Sequence, residues 1–302
     1  MKFSAIMLAF ILCLAACFSG DVAVGQGGDT YSLQLQGYVW NHSTLSALVV
    51  TTENESWWNP SYVNDTLRAV GQWNNALEAY AGNYTDYAYL ANLKINPRVS
   101  SEIRPGYDLY ISWVESSISN MSDEVGLAQT FIRGDNTIIN CTITLAAKTN
   151  HGVALSATDM QNIALHEVGH GLGLGHSNYT GDLMYSLYRL GDSPVAVSTL
   201  NVYGVAAVFG WMPNPSGFLP ISGWFKQNSV SLSAQNYGYL WVAPENSPPQ
   251  SLADNVVVQF LVLMWGLLLH PEIGLPVAGL ILLFVVLVLI PRKRKPTVKV
   301  DS

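Results

Sequence analysis

The chain has 302 residues, 49% of them apolar and only 12% charged, with a formal net charge of −7. That balance excludes a nucleic-acid partner, which needs clustered positive charge, and suits a secreted or membrane-anchored protein better than a cytosolic one. Of three cysteines, Cys13 and Cys17 lie in the N-terminal apolar segment; without that segment Cys141 stands alone and no intramolecular disulfide is available.

Lys2 followed by the apolar run Phe3–Ala16 reads as a signal peptide covering residues 1–25. Ala23-Val24-Gly25 has the small-x-small pattern for cleavage before Gln26. Leu14-Ala15-Ala16-Cys17 offers a competing lipobox, which would place a lipid on Cys17. Residues 26–212 are assigned to the globular unit. Within it Leu33–Val50 reads as β-structure around a polar turn at Asn41-His42-Ser43. Val63, Leu67, Val70, Trp73, Leu77 and Tyr80 recur at spacings of three and four and predict a core-facing helix from Val63 to Ala81. Asp108–Val114 alternates and is rich in strand formers, Ile138–Ala146 reads as another strand, and His151 falls in an exposed loop. Seven N-x-[ST] sequons, from Asn41 to Asn178, fit a glycoprotein surface outside the cytoplasm.

Ser156 or Thr158 can cap a helix over Ala157–His170. That helix runs into His166-Glu167-Val168-Gly169-His170-Gly171-Leu172-Gly173-Leu174-Gly175-His176, which reads H-E-x-x-H-x-x-G-x-x-H. Residues four apart share a helix face, so His166 and His170 can direct imidazole nitrogens at one ion. Gly173 permits an unusual backbone angle, and the ensuing turn brings in His176 as third ligand. Three neutral histidines leave the fourth tetrahedral position of Zn2+ open for water, and Glu167 is placed as the general base. A chance match is about one in ten million per starting position at ordinary residue frequencies, so an accidental polar helix face is set aside. Leu183-Met184-Tyr185 follows where a Met-turn is expected.

At these residues the chain resembles the metzincins and, within them, the matrixins, the matrix-metalloprotease type. Ser177 after the third histidine and Leu183-Met184-Tyr185 are matrixin-like, whereas Ser186 stands where the vertebrate family usually has proline. The resemblance covers about residues 33 to 211. It implies an α+β fold with a twisted mixed β-sheet, an active-site helix and a Met-turn. It also implies zinc-dependent cleavage of a protein or peptide substrate, with Met184 as an apolar floor beneath the histidines and Tyr185 shaping the substrate pocket. Gly126-Leu127-Ala128-Gln129-Thr130-Phe131 resembles the edge strand on which matrixins hold an extended peptide, so Leu127 and Ala128 are assigned to the substrate site. Calcium stays open as a further ion.

Ser198–Trp211 reads as a last helix, and Pro213, Pro215 and Pro220 mark the end of the unit. Every expected ligand lies upstream, so a chain cut after Trp211 is expected to stay active. Residues 213–255 are assigned to a stalk or small β-appendage and 256–273 to an apolar membrane-proximal segment. Residues 274–291 are assigned to a transmembrane helix and 292–302, with Arg292-Lys293-Arg294-Lys295, to a basic cytoplasmic tail. The resulting expectation is a single-pass protease with its catalytic unit outside the cell. Two rival readings are a non-catalytic surface glycoprotein that binds peptides and an envelope protein in which zinc is only structural. The intact Glu167 opposes the first, and the missing fourth protein ligand opposes the second.

Overall fold

The computed structural model describes residues 30–116, 118, 124–214, 218, 227–240 and 297–299. The signal-peptide, membrane-proximal and transmembrane assignments therefore lie outside the described residues. Among those that are described, no helix is long and apolar enough to cross a membrane.

Five strands form the main sheet: β2 (Thr44–Val50), β3 (Lys94–Ser100), β4 (Leu109–Ser116), β5 (Gly126–Ile132) and β6 (Ile138–Lys148). Their order is β3-β2-β4-β6-β5. Every pairing is parallel except that of β5, which runs antiparallel to β6. Parallel neighbours need a crossover connection, and between β2 and β3 it is supplied by α1 (Ser61–Asn83) and the short 3-10 segment Thr85–Asn92. Strand β3 has no counterpart in the sequence reading. It contains Pro97, which a strand tolerates at a sheet edge because no ladder donor is lost there, and β3 is that edge.

Helix α1 buries Val70, Trp73, Leu77 and Tyr80 as its spacing predicts, but Val63 and Leu67 are only half-buried. Tyr62, Thr66, Ala69 and Ala76 are buried in addition. The buried stripe is wider because α1 packs on α2 (Ala157–Gly171) as well as on β3. Helix α2 lies against β5 and β6. Two indoles fasten it: Trp73 Nε1 donates to Leu165 O at 2.8 Å and Trp40 Nε1 to Gly171 O at 2.8 Å. The second bond satisfies a carbonyl that the helix end leaves without an intrahelical donor.

The N-terminal β-structure departs from expectation. Strand β1 (Thr30–Leu35) does not pair with β2 across the Asn41–Ser43 turn; it forms a second sheet with β7 (Leu174–Ser177) and β9 (Ser229–Ser233) in the order β7-β1-β9. Both pairings are antiparallel. Leu33 and Val230, opposite each other, are fully or nearly fully buried. Beyond β9, Leu240 N donates to Val197 O at 2.9 Å, beside the N-terminus of α3 (Thr199–Val208). Tyr31 stacks on Tyr179 with centroids 4.1 Å apart, and Tyr237 meets both rings edge-on. Residues 229–240, within the stretch assigned from sequence to a stalk or small β-appendage, thus pack on the globular unit. The run of prolines after residue 212 does not show this packing, whereas the alternation in Val230-Ser231-Leu232 is that of a strand with one face in the core.

Strand β10 (Thr297–Lys299) pairs antiparallel with β8 (Leu187–Arg189). A chain ending at residue 214 exposes Leu33 and loses Val230, at about 3 kcal/mol for burial of this size. Its melting temperature is expected to lie about 6 to 12 °C below that of a chain ending at residue 242. Scanning calorimetry of the two truncations checks this.

Candidate metal centre

A capping box sets the start of α2. Ser156 Oγ accepts from Asp159 N at 3.1 Å, and Asp159 Oδ2 accepts from Ser156 N at 3.1 Å. From that origin His166 and His170 fall on one face, one turn apart. The helix closes at Leu172, and Gly173 follows with φ 96°, a left-handed conformation that costs glycine nothing. The chain reverses into β7 and presents His176 to the other two. Ring centroids are 4.6 Å apart for His166 and His170, 4.9 Å for His170 and His176, and 5.6 Å for His166 and His176. One ligand nitrogen from each ring lies within 4.8 Å of the others.

The second nitrogens decide which atoms can bind. His166 Nδ1 lies 2.7 Å from Leu183 O and His170 Nδ1 lies 2.7 Å from Leu174 O. A carbonyl only accepts, so each Nδ1 carries the proton and each Nε2 keeps its lone pair. His170 Nε2 is buried and has no hydrogen-bond partner among the described residues. Burial, and then the neighbouring His166, push the His170 pKa well below its usual value, which keeps the ring neutral. Three convergent imidazoles, one of them held neutral with a buried nitrogen that has no partner among the described residues, are a donor set that fits a zinc ion with one position open.

Around the histidines the expected residues fall at different distances from this point. Glu167 is fully buried and lies against Gly126 of β5, where a Cβ would overlap its Oε1. Met184 is fully buried, and its Sδ lies 2.5 Å from where a Cβ on Gly169 would sit, so the thioether packs on the helix backbone between the two histidines. Tyr185 lines a cavity of about 710 Å³ together with His166, Leu183, Tyr188, Arg189 and Tyr239. Leu127 and Ala128 do not line it. Ala128 points into the core and Leu127 is half-buried, both on edge strand β5.

The matrixin family profile matches residues 40–210. The chain belongs to the matrixin family. It is 27% identical to metalloendoproteinase 1-MMP of Arabidopsis thaliana over 183 residues, 58% of this chain and 45% of that protein. It is 37% identical to metalloendoproteinase 2-MMP of the same plant over 62 residues, 20% of this chain and 16% of the relative. Stromelysin-2 of Rattus norvegicus is 38% identical over 61 residues, 20% of this chain and 13% of that protein. The chain thus spans less than half the length of these curated relatives.

Three polar side chains of this matrixin went unread in the sequence. Asp159 Oδ1 accepts from Tyr188 OH at 2.9 Å and Gly191 N at 2.6 Å, and Asn162 Oδ1 accepts from Val195 N at 3.0 Å. Together they fasten the cavity's outer loop to the first turns of α2. Asp182 is buried immediately before the Met-turn. The capping pattern Ser156-x-x-Asp159 was legible, but the second role of its aspartate depends on a loop about thirty residues away, which spacing does not reveal. Among the described residues no second group of three His, Cys, Asp or Glu side chains could hold a metal, so calcium gains no such site there.

A ligand present at a hundred times its Kd stabilises a fold by about 2.7 kcal/mol. Added zinc is therefore expected to raise the melting temperature of the wild-type chain by several degrees and to leave that of His176→Ala nearly unchanged. Differential scanning fluorimetry with and without zinc makes the comparison.

Proposed function

We propose that this matrixin is a zinc-dependent endopeptidase that cleaves extended protein or peptide substrates. The observation that carries the reading is the convergence of three imidazoles on α2 and β7, with the buried Glu167, next in sequence to His166, packed against edge strand β5. His166, His170 and His176 would hold the ion through one nitrogen each. Zinc, when bound, supplies Lewis-acid activation of a water and of the scissile carbonyl. The Glu167 carboxylate accepts a proton from the attacking water and delivers it to the leaving amine nitrogen as the peptide bond breaks. The outer edge of β5 pairs with no strand among the described residues, so its free N–H and C=O groups can extend the sheet with a substrate chain. Such a strand lies next to Glu167, with Leu127 and Ala128 in its path. Tyr185 helps wall the cavity that receives the side chain beyond the cleaved bond, and Met184 forms the floor under the histidines.

Glu167→Ala leaves the three histidines untouched. It is expected to keep one equivalent of zinc while turnover falls about a hundredfold or more. Zinc analysis paired with cleavage of an unfolded protein decides between an enzyme and a peptide-binding glycoprotein: near-wild-type turnover in the variant rules out the proposed base.

The sequence also supports membrane anchoring. Leu275–Ile290 is apolar and is followed by Pro291 and the basic run Arg292–Lys295, which favours one span with the catalytic unit outside. The antiparallel pairing of Thr297–Lys299 with Leu187–Arg189 favours a second reading, in which the tail stays on the catalytic unit's own side. These two placements exclude each other. An epitope after Lys299 on intact cells is expected to resist external protease while the catalytic unit is digested; its loss from outside rejects the single span and leaves the docked tail.

A further inference from the structure

Asp182 is 5% exposed, and both of its carboxylate oxygens are fully engaged. Oδ1 accepts from Met184 N at 2.9 Å and from Asn201 Nδ2 at 2.7 Å. Oδ2 accepts from Ser198 Oγ at 2.6 Å and from Tyr237 OH at 3.0 Å. With no cation beside it among the described residues, a buried carboxylate needs this many donors to offset its lost hydration. The donors are not arbitrary. Ser198 and Asn201 form the capping box at the start of α3: Ser198 Oγ accepts from Asn201 N at 3.2 Å, and Asn201 Oδ1 accepts from Ser198 N at 2.9 Å. Ser198 then spends its one hydroxyl hydrogen on Asp182, and Asn201 one of its two amide hydrogens. The carboxylate also lies at the positive end of the α3 dipole, a helix whose first turn carries no acidic residue of its own.

The turn that Asp182 holds supports the metal ligands. Leu183 O accepts from His166 Nδ1 at 2.7 Å, and Met184 O accepts from Ser177 N, beside His176, at 2.8 Å. Asp182 O accepts from Tyr185 N at 3.1 Å and closes the turn. The His166 ring and the backbone next to His176 are thus both bonded to carbonyls of the turn that the Asp182 side chain holds. The fourth donor, Tyr237, comes from the segment after β9. Burial, and then the charge of Asp182, raise its pKa, so the phenol stays a donor. Gly238 N donates to Thr199 Oγ1 at 3.0 Å, and Tyr239 OH donates to Gly181 O at 2.8 Å, which brings the same segment to the residue before Asp182.

We infer that Asp182 is a positioning residue of the metal centre, and that Tyr237 is the latch through which the chain beyond α3 holds the Met-turn under the histidines. The inference rests on the zinc-protease reading above. It makes residues 237–240 part of the catalytic unit, with a role that a stalk would not have.

The test is the rate at which the zinc-loaded, full-length chain gives up its metal to a chromogenic chelator, measured below the melting temperature of every variant. Loss of a partner that orients a ligand typically costs 10- to 100-fold in metal affinity. Asp182→Ala is expected to release zinc about tenfold faster or more, and Tyr237→Phe, which removes one O–H and almost no volume, about threefold faster. Ile95→Ala, a core truncation in β3, is the control: it lowers the melting temperature and is expected to release zinc at the wild-type rate. The inference is overturned if Asp182→Ala and Tyr237→Phe release zinc at the wild-type rate, or if Ile95→Ala accelerates release as much as they do. If Asp182→Ala does not fold, Tyr237→Phe against Ile95→Ala decides. A wild-type chain that retains no zinc overturns the protease reading and this inference together, whereas zinc retention with unchanged variants overturns only the latter.

Discussion

Three imidazoles directed at one point are the constraint on which the rest of the structure depends. Converging their nitrogens to within 4.8 Å removes polar atoms from water with little return until an ion is bound. The fold must therefore hold them there by other means. A helix aligns two of them at no extra cost, since His166 and His170 are one turn apart. The third needs a chain reversal at Gly173 and a strand that stays put. Backbone carbonyls of Leu183 and Leu174 then take the outward protons, which orients the rings and sets their tautomers in one step.

The surrounding elements can be understood as supports for these contacts. Trp40 and Trp73 fasten α2 from the sheet side and the α1 side, each through an indole N–H to a helix carbonyl. Strand β7, which carries His176, is only four residues long and takes its ladder pairing from β1, apart from the single bridge of Ser177 to the Met-turn. Strand β1 is held in turn by β9. The residues on either side of the matrixin core, before β2 and after α3, thus meet on one sheet whose outer member presents a metal ligand. The stacked and edge-on rings of Tyr31, Tyr179 and Tyr237 tie the same three segments together through apolar contact.

The two edges of the main sheet differ in a way that bears on function. Strand β3 carries Pro97 with Lys94 and Arg98, features that discourage pairing with another chain. Strand β5 has the sequence Gly-Leu-Ala-Gln-Thr-Phe-Ile, with neither proline nor charge. Its first residue lies against Glu167, and any side chain there would collide with the carboxylate. One edge is protected, and the other, beside the proposed base, has no strand on it among the described residues.

Sequence by itself determined which residues form the candidate metal centre. Helical periodicity and the fixed spacing of His166, Glu167, His170, Gly173 and His176 are local properties, and a motif whose geometry lies within eleven residues can be read without the fold. The strands at Asp108–Val114 and Ile138–Ala146, the capped α2 and the last helix were legible for the same reason. Tertiary structure decided what depends on contacts between distant residues. It took β1 away from β2 and gave it to β7, because a strand's pattern shows that a face is buried but not against which partner. It made β3 a strand despite Pro97, since only a place at the edge excuses the missing donor. It turned Asp182 from a loop aspartate into an anchor, because its four donors come from residues 184, 198, 201 and 237 and no spacing rule joins them. For the same reason the run of prolines after residue 212 did not reveal that residues 229–240 pack back on β1 and on the start of α3: apolar burial and hydrogen bonding between distant residues decide that.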